Sequence, residues 1–253
     1  MARSVTYPIQ LLTLFPSYFE GPLSTSILGR ARKAGVAGVR CVDIRDFAST
    51  RHRRVDDTPY GGGAGMVMRA PELAAATDWS RARAPGAPVI YLSPQGAPFR
   101  QSHARWLAKQ PGMVLVCGRY EGVDERWIER HVDLEISVGD FVLTGGEAAA
   151  VCVVDAVVRL LPGALGNAAS ASDESFSHGM LEYPQFTRPA TFEGLEVPDV
   201  LLSGDHGRIS AWREKLSLAR TSARRPDLLE GAAPEVEDGE GWLVKKRHVE
   251  DEN

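Results

Sequence analysis

Three short apolar runs, each closed by glycine or proline, constrain this chain more than any other feature. Residues 89–92, 113–116 and 134–138 are too short for buried helices, and turn residues bound them, so they are predicted to be strands. Their nearly continuous apolar character fits strands covered on both faces, as in a mostly parallel sheet. Helices around 72–76 and 102–109 fall between them, and the chain opens with a strand at 8–14, a helix at 24–33 stopped by Gly35, and a strand at 36–44. Read from the residues alone, the fold class is α/β with a doubly wound, mostly parallel sheet.

Residues 146–161 are dense in Ala, Val and Leu and end at Pro162-Gly163, which predicts a largely buried helix with a sharp stop. The first domain is expected to span 1–165. A Ser-, Ala- and Asn-rich stretch without hydrophobic periodicity begins a linker, 166–185. A small all-helical domain, 186–253, is expected to follow, with an acidic tail from Glu235. Its main helix carries Ile209, Trp212, Leu216 and Ala219 at helical spacing, with Ser203 or Asp205 as its cap. Arg213, Lys215, Arg220, Arg224 and Arg225 fall off that stripe, available to phosphates.

At 253 residues the chain can bury a core without disulfide or metal staples. Cys41, Cys117 and Cys152 match no zinc-ligand spacing and read as small core residues in a reducing cytosol. The apolar run 9–15 is too short for a membrane span and no cleavage site follows it, so neither membrane insertion nor export is expected. A net charge of -4 argues against a protein that coats nucleic acid indiscriminately. Residues 40–54 nevertheless hold five arginines against two aspartates, and 203–226 six Lys or Arg against two acids. Such local patches suit selective binding of a polyanion, or simply solvated faces.

Four glycine-rich segments carry the chemistry: Tyr60-Gly61-Gly62-Gly63, Ser93-Pro94-Gln95-Gly96, Gly118-Arg119-Tyr120-Glu121-Gly122, and Gly139-Asp140 through Thr144-Gly145-Gly146-Glu147. Three follow predicted strands, where ligands of open parallel sheets bind, and glycine lets backbone amides approach a ligand. Each alone could be a tight turn. Neither GxGxxG nor GxxxxGK[ST] occurs, so no dinucleotide or phosphoryl-transfer site is signalled.

In order, the chain contains VDDTPYGGGAGM, YLSPQG, VCGRYEGVDER, ISVGDFVLTGGE, RLLPGALGN, SFSHGMLEYPQFTRP, VPDVLLSGDH and WREKLSLARTSARRPDLL. This series closely resembles the bacterial tRNA (guanine-N1)-methyltransferases over residues 9–229. The resemblance implies a trefoil-knotted (SPOUT) α/β domain, which topology rules alone would have rejected. It implies S-adenosylmethionine bound among the loops at 93–96, 118–122 and 138–146. The residues so assigned are Tyr91, Leu92, Ser93, Pro94, Gly96, Gly118, Tyr120, Glu121, Gly122, Val138, Gly139, Phe141, Leu143, Gly145 and Gly146. For Phe141 and Leu143 simple core packing is the alternative.

The same resemblance implies methyl transfer to N1 of the guanine immediately 3′ of the anticodon, position 37, in a homodimer whose subunits share each site. That nitrogen carries a proton at neutral pH, so a carboxylate must remove it and a cation near the guanine oxygen should stabilise the resulting charge. The family's cation matches Arg159, whose other reading is a helix C-cap. The family's base is an aspartate directly before Ser-Phe, but the order here is Asp173-Glu174-Ser175-Phe176. Register puts Glu174 at that position, with Asp173 as the alternative. Arg53, Arg54 and Asp56 sit where the family contacts its tRNA, and Arg213, Arg220, Arg224 and Arg225 are the matching basic residues of the helical domain. Mg2+ dependence is left open. Two other readings stay in view: a Rossmann-type oxidoreductase, and a non-catalytic RNA-binding module.

Overall fold

The computed structural model describes residues 7–166 and 174–230, which fall into two compact units. Asp173, most of the Ala- and Ser-rich stretch, and the acidic tail lie outside the described residues.

The first unit is built on five parallel strands: β1 (Tyr7–Thr13), β2 (Ala37–Asp43), β5 (Val89–Pro98), β6 (Met113–Cys117) and β7 (Leu134–Ser137), in the order β2-β1-β6-β5-β7. A two-residue hairpin, β3 (Asp56–Asp57) with β4 (Val67–Met68), lies apart from it. The apolar runs read as strands are these strands, with boundaries shifted by a few residues. β6 is buried along its whole length. Its alternating side chains feed two different cores. Met113, Leu115 and Cys117 pack with α1 (Ser26–Lys33), α3 (Gln101–Ala108) and α5 (Glu147–Val158). Val114 and Val116 pack with α2 (Ala70–Arg81) and α4 (Glu125–His131). Helices on both faces explain why the strands read as continuous apolar runs. Truncating one fully buried leucine such as Leu115 to alanine would cost about 2–5 kcal/mol.

One irregularity in the sheet shapes the site. Leu92 and Ala97 of β5 both pair with Ile136 of β7, so the intervening residues 93–96 leave the ladder as a bulge. Gly96 lets the chain return, because a Cβ there would lie 2.3 Å from the backbone nitrogen of Ile136. The loop after β6 and the loop between β7 and α5 emerge at the same edge, beside this bulge.

The second unit is not all-helical: before the short α6 (Asp199–Leu202) and the long α7 (His206–Arg224) it holds a hairpin of β8 (Thr191–Phe192) and β9 (Leu195–Glu196), turned at Gly194 with φ 81. Asp205 caps α7 by accepting from the Arg208 amide, whereas Ser203 bonds back to the Val200 carbonyl. The buried positions of α7 are Ser217 and Thr221, with Ile209, Trp212 and Leu216 half-buried and Ala219 exposed. The two hydroxyls earn burial by bonding the backbone of Leu181: Ser217 donates to its carbonyl at 2.5 Å and Thr221 accepts from its amide at 2.9 Å. Leu181, placed in the linker by sequence, is thereby tied to α7, as is Glu182, whose carbonyl accepts from Arg220.

Candidate active site

A cleft of about 280 Å³ opens at the carboxyl edge of β6, β5 and β7. Its walls are the 93–96 bulge, the 118–122 loop and the 138–146 loop. Of the residues assigned to the cofactor from sequence, Tyr91, Leu92, Ser93, Pro94, Gly118, Tyr120, Glu121, Gly122, Val138, Gly139, Phe141, Leu143, Gly145 and Gly146 all line it. Gly96 does not; it serves the return of the bulge against β7.

Three of the glycines serve the protein's own packing as well. At Gly146 a Cβ would stand 2.7 Å from the Cα of Cys117, at Gly118 2.9 Å from the Tyr91 ring, and at Gly145 2.2 Å from Nε of Arg119. They give clearance to the protein's own chain, so that three loops can close around one cleft. The Gly146 amide donates to the Gly118 carbonyl at 3.0 Å, joining two of those loops. Tyr120, at the crest of the 118–122 loop, takes φ 60, a conformation that costs a non-glycine residue free energy and marks functional loops.

Leu92, Val138, Phe141 and Leu143 give the cleft apolar surface, while its loops carry backbone polar groups. Phe141 and Leu143 are exposed, 56% and 41%, so they are not core residues. Tyr91 packs edge-on against Trp127, and burial, reinforced by Glu135 and Glu125, pushes its hydroxyl up to about 12, so it stays protonated. Cys117 lies buried beneath the cleft with its thiol pushed well up by burial, which makes it inert packing. Cys152 departs from the sequence reading: it is exposed on α5.

Sequence reasoning missed the polar group behind the cleft. Glu147, 1% exposed, accepts from the Thr13 hydroxyl at 2.7 Å and pairs with the Arg119 guanidinium at 2.8 Å. Arg119 also donates to the Thr144 carbonyl at 3.0 Å and lies over the Phe15 ring at 4.4 Å.

Arg159 occupies the C-cap of α5, half-buried, and Glu174 opens a turn in which its carbonyl accepts from the Ser177 amide. Arg53 pairs with Asp46 and lies 3.9 Å from Asp43, and Arg54 pairs with Asp57 at 2.9 Å, beside Asp56. In the second unit Arg213 lies over the Tyr183 ring, Arg220 donates to the Glu182 carbonyl at 3.4 Å and Arg225 grips Asp227, while Arg224 is exposed. These basic residues are thus more engaged than their spacing suggests. Exposed pairs such as Arg54–Asp57 hold by about 0–1 kcal/mol, so a phosphate can compete for them.

Among the described residues no group of three His, Cys, Asp or Glu side chains is placed to hold a metal, and no helix is long and apolar enough to cross a membrane.

The family model for tRNA (guanine-1)-methyltransferase TrmD matches residues 7–231. A tRNA (guanine-N(1)-)-methyltransferase of Anaeromyxobacter sp. (strain Fw109-5) is 57% identical over 231 residues, 90% of this chain and 93% of the relative. Its counterpart in Chloroflexus aggregans is 59% identical over 224 residues, 88% of each chain. That of Geobacillus kaustophilus is 53% identical over 235 residues, 93% and 96%. With a single model spanning both units and the cleft's loops within it, this chain belongs to the TrmD family of tRNA (guanine-1)-methyltransferases.

Proposed function

We propose that this protein is a tRNA (guanine-N1)-methyltransferase that uses S-adenosylmethionine to methylate the guanine 3′ of the anticodon, position 37. The observation that carries the reading is the cleft at the carboxyl edge of β6, β5 and β7, set in a chain matched by the family model from 7 to 231. Its apolar walls and open backbone groups suit an adenosyl group, with Leu92, Val138, Phe141 and Leu143 burying it. Bound there, S-adenosylmethionine supplies an electrophilic methyl group on its sulfonium. The protein's part is to hold guanine N1 in line with that methyl, take the N1 proton and stabilise the charge left on the base. Glu174, or Asp173 beside it, takes the proton, and Arg159 stabilises the guanine oxygen. Asp56 reads the guanine's hydrogen-bond donors, and the arginines of 53–54 and of α7 hold the phosphates. An anticodon-loop nucleotide is already single-stranded, which lowers the cost of extruding it.

The site is shared between two copies of the chain. The cleft lies at the N-terminal end of α5 and Arg159 at the other end, a helix length away. An Arg159 acting at the cleft therefore comes from a partner. The outer face of α5, with Val151, Cys152 and Ala156, and the exposed Phe141 and Val142 offer apolar surface for that partner. The same reading includes the trefoil knot, supported by the chain's return from edge strand β7 to the end of central β6, where Gly146 bonds Gly118. It places the protein in the cytoplasm, with its RNA. The division into a knotted domain (1–165), a linker with the base (166–185) and a tRNA-binding helical domain (186–253) belongs to it too.

Incubation with unmodified tRNA and labelled S-adenosylmethionine tests the activity: 1-methylguanosine is expected in the digested RNA, and its absence would count against the assignment. Titrating Mg2+ in the same assay measures any divalent-ion requirement.

A further inference from the structure

Glu147 is a carboxylate buried at the start of a helix whose only other charged residue, Asp155, is exposed; the helix dipole favours it there but water cannot reach it. Its partner Arg119 has an 18% exposed side chain and sits on the glycine surface of Gly145, which has no room for a Cβ. Replacing a buried ion pair by well-packed neutral residues is often neutral or stabilising, so fold stability alone does not account for it. What the pair does achieve is geometric. Through Thr13 it is anchored to the end of β1. Through Arg119 it reaches the 118–122 loop, and through the Thr144 carbonyl the 138–146 loop. Two walls of the cleft are thus fixed to each other and to the sheet by one buried carboxylate.

We propose that Arg119 and Glu147 are positioning residues that hold the 118–122 and 138–146 loops in register, so that the cleft is formed before its ligand arrives. This rests on the reading of the cleft as the S-adenosylmethionine site. Arg119 borders the cleft and Glu147 does not, so Glu147 acts wholly through Arg119 and through the backbone of Gly118, Thr144, Gly145 and Gly146. A cleft misplaced by about 1 Å loses roughly 10- to 100-fold in the function it supports. That loss falls on cofactor binding, because the guanine, its base and its cation are held elsewhere.

The test is a neutral pair, Arg119→Met with Glu147→Gln, made in one full-length chain. It removes both charges without stranding either, and glutamine keeps an acceptor for Thr13. Calorimetric titration with S-adenosylmethionine and thermal melting are measured alongside kinetics. A positioning role predicts a melting temperature near wild type, a dissociation constant raised roughly 10- to 100-fold, and a raised KM for S-adenosylmethionine with kcat changed less than about threefold. A purely structural pair predicts that stability and affinity recover together, and an unchanged dissociation constant in the neutral pair would overturn the proposal. Should the neutral pair not fold, Glu147→Asp decides: it keeps the charge but shortens its reach, and weakened binding supports the proposal while unchanged binding overturns it. Wild-type protein that does not bind S-adenosylmethionine would overturn instead the reading of the cleft.

Discussion

Gly146 and Arg159 cap opposite ends of α5, with the 12 residues Glu147–Val158 between them. At 1.5 Å per residue the helix holds them about 20 Å apart. Gly146 is packed against Cys117 at the cleft, and Arg159 is turned away from it by the length of a helix that Val153, Val154, Val157 and Val158 bury in the core. A rigid helix cannot shorten, so one chain cannot bring its own Arg159 to its own cleft. This relationship, rather than any single residue, carries the proposal of a site shared by two chains.

The cleft is best probed at Leu143. Glycine-to-valine changes at Gly118 or Gly146 would force a side chain into Tyr91 or the Cys117 backbone and damage the fold itself. Leu143 is 41% exposed, so Leu143→Asp should leave the melting temperature within about 2 °C of wild type. A carboxylate on the apolar wall should weaken S-adenosylmethionine binding at least about tenfold by calorimetry. Wild-type affinity would move the ligand away from this wall.

Glu174→Gln should lower the methyl-transfer rate by roughly 10² to 10⁴ with both substrates still bound. Single-turnover kinetics with Asp173→Asn measured beside it identify the base: a near-normal Glu174→Gln with a crippled Asp173→Asn would assign the role to Asp173.

The arginines of α7 should separate. Arg224 is exposed, so Arg224→Ala should weaken tRNA binding and lower the salt slope of log affinity by about 0.7–0.9 if it meets one phosphate. Arg213 lies over Tyr183 instead, so Arg213→Ala should also lower the stability of the second unit. Binding isotherms at several salt concentrations and a melting curve distinguish the two.

Much of the first unit is legible in the sequence because burial on both faces leaves a plain signal: β6 was placed to within one residue. α4 escaped, since seven residues capped by Asp124 inside a glycine-rich motif give too little periodicity to see. The inner face of α7 was displaced because Ser217 and Thr221 are buried for their hydrogen bonds to Leu181, which hydrophobic spacing cannot detect. Most of the cleft's residues were found through the ordered motifs. The Arg119–Glu147 pair was not, because 28 positions separate it and only the folded loops reveal it.

His103 gives a pH signature. Burial, with a contribution from Arg100, lowers its pKa to about 4, and its Nδ1 accepts from the Arg100 amide at the start of α3. The unfolded chain takes up a proton near pH 6.5 that the folded chain refuses until about pH 4. Stability should therefore fall with pH across that window, by up to about 3 kcal/mol from this one group, and be unaffected by it above pH 7. His103→Gln keeps an acceptor for the Arg100 amide and should flatten that part of the profile, read from denaturant melts between pH 4 and 7.

Co-expression of two crippled chains tests the two-chain site most directly. At S-adenosylmethionine well below the dissociation constant of the Leu143→Asp variant, that chain leaves its cleft largely empty, and an Arg159→Met chain lacks the cation, so each homodimer should fall far below wild type. In a mixed dimer one site collects both defects and the other neither. With random pairing about half the dimers are mixed, each with one intact site, and about a quarter of wild-type methyl transfer to tRNA should return. If Arg159 served the cleft of its own chain, every site in the mixed dimer would hold one defect. Activity at the parental background from purified, verified heterodimers would contradict the shared site.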